Sequence, residues 1–586
     1  MTRRIALFAG IALALAVGLL LDLRFRGLAW QFLWSVTGEE DVLAQVRGGA
    51  EWLGNLTRPQ PSFAPIVPID HAGQRPFGIN TFLQLEPDPN KVERQLAQIS
   101  GIGFGWIRQE FPWEDIEIHA KGDFEDRRNV EVLGVISAWD KYDRIVGLAE
   151  QYDIQIQARL SNPPRWAQPS PEAGDMAPPT DIQDYVDYAV AVAERYKGRI
   201  HHYQIWNEPN IYPEWGDLEP VNAERYTELL CRTHDALKAI DPDIVIISGA
   251  LAPTVSLTER DLNDFIFLER MYAAGAGACF DVLSMQGYGL NSGPTDRRMR
   301  PTTVNISRNL YIREMMVRHG DAHKPIWLSE AAWNSVPSEA EHPEPIDARY
   351  NFGQVTQDQA ARYMPMLYER AKREWPWVGV INYWFFTLPD DSRSDESMYY
   401  FRMAEPDYSD AKPSYTPLPV YEAMRDYLAT VTPTVYQGVH QVGAHYAIGA
   451  YADGLTPEGG RVAAPLVEAE GAQFGTAAQA VELNFDAYGT GAVLRWRGER
   501  IVVVLNGEDT VYTSDGQRWE ETALCTCVVP QALSLQIVLP SSAPTPVALF
   551  DSLTVYDHTD RLVWAGLAVG AVLVGLIALA LWRQAR

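Results

Sequence analysis

The sequence predicts an α/β fold: a (β/α)8 TIM barrel, then a C-terminal β-sandwich module, with a transmembrane helix at each end. Three observations predict it. Short apolar runs alternate with amphipathic helical stretches from Phe77 to about Tyr427, short β runs with turns follow, and an uncharged apolar segment lies near each terminus. The 586 residues are 47% hydrophobic and 21% charged, which excludes a disordered or collagen-like chain.

Taken in order, Met1-Thr-Arg-Arg4 precedes an uncharged run from Ile5 to Leu21. Signal peptides and membrane anchors share that pattern, and the flank Asp22-Leu-Arg-Phe-Arg26, which lacks a small-residue cleavage site, favours an anchor over residues 1–23. Residues 24–76 read as a juxtamembrane helix around Ala29 to Leu53, with Trp30 and Trp34 suited to an interface, and a Pro-rich linker from Arg58 to Pro76.

The barrel is expected over residues 77–430. Its eight strands are predicted at Phe77–Phe82, Phe104–Glu110, Ile154–Leu160, His202–Trp206, Ile244–Ser248, Val282–Gln286, Ile326–Ser329 and Val378–Trp384. Helices are predicted between them at Lys91–Ser100, Ile136–Tyr152, Ile182–Tyr196, Ala223–Ile240, Asp261–Ala274, Ser307–His319 and Gln357–Glu374. The span exceeds the ~250 residues typical of this fold, which tolerates insertions.

Beyond the barrel, residues 431–558 carry the predicted strands Ala480–Phe485, Ala492–Trp496, Ile501–Leu505, Leu533–Leu539 and Leu549–Tyr556. Such a module binds glycan, braces the barrel or spaces it from a membrane, and the residues do not choose among these. Leu562 to Trp582 is uncharged, and as a helix it rises about 31 Å, matching a hydrocarbon core of roughly 30 Å. Arg3 and Arg4 at one end, with Arg583 and Arg586 at the other, place both tips in the cytoplasm and the whole middle of the chain outside. Small residues at every fourth position, Ala6, Gly10, Ala14 and Gly18 in one span and Gly566 and Gly570 in the other, permit transmembrane helix pairing.

The net charge of −27 argues against nucleic acid as a partner, because the surface repels phosphate. The four cysteines lack zinc-ligand spacing, and His201 and His202, as strand neighbours, point to opposite faces. No metal and no cofactor is expected.

Chemistry in a (β/α)8 barrel sits at the C-terminal ends of the strands. The fourth strand ends in His202-Tyr-Gln-Ile-Trp-Asn-Glu-Pro209 and the seventh in Lys324-Pro-Ile-Trp-Leu-Ser-Glu-Ala-Ala-Trp333, which brings Glu208 and Glu330 to one rim. A carboxylic acid that protonates a leaving oxygen and a carboxylate that attacks an anomeric carbon are the pair that glycosidic cleavage requires.

On Trp206-Asn-Glu-Pro209 and Trp327-Leu-Ser-Glu330 the chain resembles the clan A glycoside hydrolases over most of Phe77 to Tyr427. Trp106-Ile-Arg-Gln-Glu-Phe-Pro-Trp113, Asn162-Pro-Pro-Arg-Trp166 and Lys412-Pro-Ser-Tyr415 look like the β-xylosidase and iduronidase family or cellulase-like relatives. The resemblance implies a retaining glycosidase acting on a carbohydrate polymer or oligomer, with Glu208 as acid/base and Glu330 as nucleophile. It implies that Asn207 binds the hydroxyl beside the anomeric carbon and that Arg108 and Tyr288 orient the nucleophile. It makes Trp384 the aromatic platform under the sugar, with Trp333, Trp113, Trp166 and Trp215 widening the lining. The sixth strand reads Met285-Gln-Gly-Tyr288, where family members more usually carry His before the Tyr. Transglycosylation at the same site and a non-catalytic glycan-binding or exopolysaccharide-assembly role are the alternative readings.

Overall fold

The computed structural model describes the chain except residues 1–9, 11–12, 15–16, 73, 341, 343, 348–351, 408–413, 433, 442–465, 469–470, 474–480, 540–547 and 558–586. The chain divides into two compact units. The first takes residues up to Ala64, Arg75–Arg370 and Val378–Val431; the second takes Pro65–Gln74, Ala371–Trp377 and the residues from Thr432 onward.

Eight parallel strands form the core of the first unit: β1 Phe77–Thr81, β2 Trp106–Pro112, β3 Gln155–Ser161, β4 His202–Asn207, β5 Val245–Ala250, β6 Leu283–Gln286, β7 Ile326–Ala331 and β8 Val378–Tyr383. They pair in the order β5-β4-β3-β2-β1-β8-β7-β6, and the parallel bridges Ile247 to Val282 and Leu251 to Met285 close the ring between β5 and β6. The result is a (β/α)8 barrel. All eight predicted strands are present with ends shifted by one to two residues, because strands buried on both faces read as continuous apolar runs.

A helix follows each strand: Pro89–Gly101, Asp140–Gln151, Ile182–Arg195, Ala223–Ile240, Asp264–Ala273, Asn309–Arg318, Gln357–Glu374 and Pro419–Thr430. Asp88, Asp181, Asn222 and Asn263 cap four of them by accepting backbone N–H bonds of the first turn, each cap contributing ~1 kcal/mol. The helix expected from Ile136 starts at Asp140 instead, because Ile136–Ser137 pairs with Glu125–Asp126 in a short antiparallel ribbon.

The barrel interior is layered. Trp106, Val245, Ile247, Val282, Trp327 and Val380 form an apolar floor. Above it lies a layer of amides and hydroxyls: Gln157 donates to Gln204 Oε1 at 2.9 Å, Asn382 to Gln157 Oε1 at 3.0 Å and Ser329 to Gln204 Oε1 at 3.2 Å. Each of these side chains is held by another of the layer, which offsets much of its desolvation, although Asn382 Oδ1 has no hydrogen-bond partner.

Before the barrel, the predicted juxtamembrane helix is a hairpin of two helices, Leu28–Thr37 and Val42–Leu53. Gly38 ends the first in the left-handed region at φ 64°, and a Cβ there would meet Gly293 O at 2.6 Å, so only glycine fits. Trp30 and Trp34, expected at a membrane interface, pack elsewhere. Trp30 is buried, and Trp34 stacks on Tyr363 with ring centroids 5.5 Å apart. Among the described residues no helix is long and apolar enough to cross a membrane. Leu562–Trp582 lies outside the described residues, as does much of Ile5–Leu21.

In the second unit the described strands make one antiparallel sheet of eight, dominated by the long strands Val481–Gly498 and Glu520–Leu539, where the sequence predicts a sandwich. The predicted runs 480–485 and 492–496 fall, from 481 onward, on one continuous strand, whose register slips at Gly489/Gly491 and Ala492/Val493. Pro68, from the predicted linker, bridges to Val439 in this unit.

Candidate active site

The site is built on the strand ends, and its central group is Arg108 on β2. The buried guanidinium donates through Nε to Gln204 Oε1 at 2.7 Å and through one terminal nitrogen to Asn80 Oδ1 at 2.8 Å and Glu330 Oε1 at 2.9 Å. Its other terminal nitrogen donates to Asn207 Oδ1 at 2.7 Å. The planar fork thus fixes residues of β1, β4 and β7 together.

Strand alternation alone does not bring these groups inward. On β4, His202 and Gln204 face the barrel, but Trp206 adopts φ 73° and breaks the alternation. Its indole packs outward, near Tyr185 and Trp215, and Asn207 takes the inward place. Glu208 follows at φ 38°. On β7, Ser329 reaches the amide layer and Glu330 also turns in, where the register against β6 slips between Met285 and Gln286. Left-handed non-glycine residues and bulges of this kind collect at functional sites.

Glu330 is buried. Besides Arg108 it accepts a 2.6 Å bond at Oε2 from the Tyr288 hydroxyl, so each carboxylate oxygen has its own donor. Burial and the Glu330 charge push the Tyr288 hydroxyl far above the usual phenol range, which keeps it a donor. Glu208 is more open than Glu330. Burial of its carboxyl, then the Glu330 and Glu214 charges, hold it well above the usual carboxylate range, against a 2.7 Å bond donated by Gln286 Nε2. One glutamate is therefore anchored by two donors while the other is disposed to hold a proton.

Beyond Asn80, Gln204 and Gln286, sequence reasoning missed four participants. Glu214 lies within the field of both glutamates and hydrogen-bonds to Asn207; burial, then the Glu330 charge, raises its carboxyl despite Arg159. Nothing in the Pro213-Glu-Trp215 segment marks it as functional. Arg159 on β3 pairs with Glu110 at 2.7 Å, and Gln84 donates to the other oxygen of Glu110 at 2.8 Å. Burial works against the charge on Arg159, but Glu110, Glu214, Glu330 and Glu208 together raise its pKa. The alternation of β2, with Trp106, Arg108 and Glu110 two residues apart, was the available signal for Glu110.

The predicted aromatic lining divides. Trp384, just past β8, is 7% exposed and makes edge contacts with Phe82 and Phe385 at 5.6 Å. Trp333 is a correction: it is 1% exposed, donates from Nε1 to Ser292 O at 2.7 Å, and is closed between Tyr363 and the face of Gly289, where a Cβ would meet the indole at 2.1 Å. No face of its ring is left for a sugar. Trp113 and Trp215 are core as well, Trp113 stacking on Tyr188 at 5.3 Å, and Trp166 is half-buried with Nε1 donating to Glu117 O. Among the described residues no group of three or more metal-ligating side chains gathers.

Comparison with known proteins adds the following. No protein-family model matches the sequence. A β-xylosidase of Geobacillus stearothermophilus is 23% identical over 193 residues, 30% of this chain and 36% of that protein. The chain thus spans about a third of the length of the curated relative it matches. A family 39 glycoside hydrolase from Bacteroides cellulosilyticus is 17% identical, with 80% of this chain and 82% of that one covered and a TM-score of 0.46. A GH39 β-xylosidase from Caulobacter crescentus is 14% identical over 82% and 99% of the two chains, with a TM-score of 0.39. A GH30 endoxylanase from Clostridium papyrosolvens is 13% identical over 81% and 99%, with a TM-score of 0.38.

Proposed function

We propose that the protein is a retaining glycosidase that cleaves O-glycosidic bonds of a polysaccharide or oligosaccharide by double displacement. The observation that carries the reading is the unequal pair at the barrel mouth: Glu330 with one carboxyl oxygen bonded by Arg108 and the other by Tyr288, and Glu208 held toward its acid form by burial and by the Glu330 charge. Two carboxyls with opposed protonation are what this chemistry requires.

In the first step a Glu330 oxygen attacks the anomeric carbon while Glu208 gives its proton to the departing glycosidic oxygen. The C–O bond breaks and an ester to Glu330 forms. That ester carries no charge, so the Glu330 part of the field that favoured the proton on Glu208 is gone, and Glu208 as carboxylate takes a proton from water. The water oxygen displaces Glu330 and restores the starting state. In this reading Asn207 meets the neighbouring hydroxyl and Trp384 packs against the C–H face of the ring. Retention requires the carboxyl groups to stand ~5–5.5 Å apart, against ~6.5–9.5 Å for inversion.

The location proposed is the cell membrane, with the catalytic unit on the extracytoplasmic side. The two terminal apolar segments and their flanking arginines support it. So does the bond between Cys231 and Cys279, since disulfides persist in oxidising compartments.

The test is reducing-end release across a glycan panel by the full-length protein in detergent, beside Glu330→Gln and Glu208→Gln. The reading expects release by the parent, loss of ~10³-fold or more in Glu330→Gln, and rescue of Glu208→Gln by azide on a substrate with an activated leaving group. A glycosyl azide of the same anomeric configuration as the substrate establishes retention, because azide then takes the place of water in displacing the Glu330 ester. Glycan binding with no release by any of the three proteins would favour the binding-protein reading.

A further inference from the structure

The N-terminal hairpin is amphipathic in the opposite sense to a helix pair that rests on a soluble barrel. Along Val42–Leu53, Leu43, Val46, Ala50 and Leu53 fall at helical spacings of three, four and three, and all four face outward. The inward face carries Gln45, Gly48 and Gly49. Leu28 and Phe32, four residues apart on the first helix, are exposed too, as is Phe25 just before it. Leu28 is 81% and Leu43 80% exposed, and each of the other large members is more than half exposed. The Phe32 and Trp52 rings meet edge to face at 5.7 Å, joining the stripes of the two helices into one surface.

A helix on a globular domain turns its apolar stripe toward the core. A contiguous apolar patch with a charged rim, facing outward, marks a contact surface. Here the rim is charged: Arg24, Arg26 and Arg47 are exposed around it, with Asp41 exposed at the start of the second helix and Arg26 bonded to Glu40 at 3.2 Å.

We propose that this face docks on a phospholipid bilayer, with the hairpin lying in the interface plane. Phe25, Leu28, Phe32, Leu43, Val46 and Leu53 enter the acyl boundary, and the three arginines extend their aliphatic stems along it with their guanidinium groups at the phosphates. Continuity argues for lipid as the occupant. The uncharged run Ile5–Leu21 leads into the hairpin across six residues, and Leu19, Leu20 and Leu21 at its end are exposed as well. With a net charge of −27 on the whole chain, apolar insertion must dominate the attraction.

The opposite face of the hairpin holds the loop after β6. Gly293 N donates to Gly38 O at 2.7 Å, Arg297 N to Val36 O at 3.0 Å, Thr295 Oγ1 to Trp34 O at 2.6 Å and Arg298 to Glu39 at 2.9 Å. That loop starts at Tyr288, the donor to Glu330. Docking therefore fixes the barrel mouth relative to the membrane plane, so that glycan beside the bilayer meets it in one orientation. The proposal rests on the membrane-anchored reading for its setting and is independent of catalysis.

The test uses the full-length protein in phosphatidylcholine nanodiscs, labelled with an environment-sensitive fluorophore at Phe32→Cys, Leu43→Cys or, on a barrel helix, Arg318→Cys. Among the described residues no cysteine is free to compete for the label. Lipids carrying a nitroxide on the acyl chain are expected to quench the labels at 32 and 43 at least two-fold and to leave 318 unchanged. Incorporated protein whose labels at 32 and 43 stay bright overturns the proposal while leaving the anchored reading standing. Labels that are blue-shifted yet unquenched overturn it in favour of cover by a second copy or by the chain's own C-terminal segment. Protein that does not associate with the bilayer overturns both readings.

Discussion

Gln286 touches both halves of the candidate catalytic pair: its backbone lies in register with Glu330 on the neighbouring strand, and its side-chain amide donates to Glu208 Oε1 at 2.7 Å. A donor to the ionised form lowers a carboxyl pKa, so this bond restrains the rise that burial imposes on Glu208. Gln286→Met removes the donor at similar volume. The alkaline limb of kcat/KM is expected to move to higher pH, and the maximum to fall ~10-fold as Glu208 loses its support. Gln286→His, which restores an N–H donor, is expected to bring the limb back. A limb that does not move in the Met variant would show that the bond is absent from the working enzyme.

Tyr288→Phe deletes one hydroxyl and leaves the ring between Phe352 and Phe401, whose centroids lie 5.6 and 5.5 Å away. A hydrogen bond to a charged group is worth ~1.5–3 kcal/mol, which corresponds to a ~10–100-fold fall in kcat/KM. The melting temperature should hardly change, because the packing is retained. Paired kinetics and thermal melts check this; a large loss of stability would recast Tyr288 as a structural residue.

Arg108 tests stability instead of rate. Arg108→Met leaves the Glu330 carboxylate and the Asn80, Asn207 and Gln204 oxygens without their common donor. Breaking a buried ion pair from one side costs ~3–5 kcal/mol. Adding Glu330→Gln to Arg108→Met removes the stranded charge and should recover part of that loss in denaturant melts. Strict additivity of the two substitutions would mean that the pair is not coupled.

How much of this was legible depends on the kind of signal each feature leaves. The eight strands were readable because each is a short apolar run, and the helices between them because their apolar residues recur at helical spacing. Glu208 and Glu330 were readable from their strand-end positions and their neighbours in sequence. What left no trace is conformational: the left-handed Trp206 that turns Asn207 inward, and the register slip beside Glu330. For the same reason Trp333 and Trp384, both indoles just past a strand, were indistinguishable in sequence, although one is sealed behind Gly289 and the other makes edge contacts with Phe82 and Phe385. Glu214 was hidden because its role comes from long-range proximity to Glu330 and Arg159.

The disulfide gives a prediction outside the site. Cys231 lies on the helix after β4 and Cys279 just before β6, so the bond closes a loop spanning 48 positions. Chain-entropy arguments give about 4 kcal/mol for a loop of that length. The double substitution to Ala, or melting in reductant, should lower the denaturant midpoint accordingly while leaving kcat unchanged, since neither cysteine approaches Glu208 or Glu330 in the contacts described. An unchanged midpoint in reductant would mean that the cysteines are not bonded in the purified protein.

Glu208 also makes a stability prediction whose sign is opposite to that of most buried-site substitutions. Its folded-state pKa is raised above the ordinary value of 4.5, chiefly by burial and then by the Glu330 charge. A carboxyl raised on folding contributes stability that is fully present below the unfolded pKa and is lost as pH rises through the folded pKa. Glu208→Gln keeps the shape but carries no ionisable proton, so it escapes that loss. Its melting temperature relative to the parent should be flat below about pH 4.5, rise steadily above it, and level off once Glu208 is ionised in the folded parent. Melts at half-unit intervals check the curve. A difference that shrinks as pH rises would require Glu208 to be stabilised as an anion, which would remove it from the acid's role.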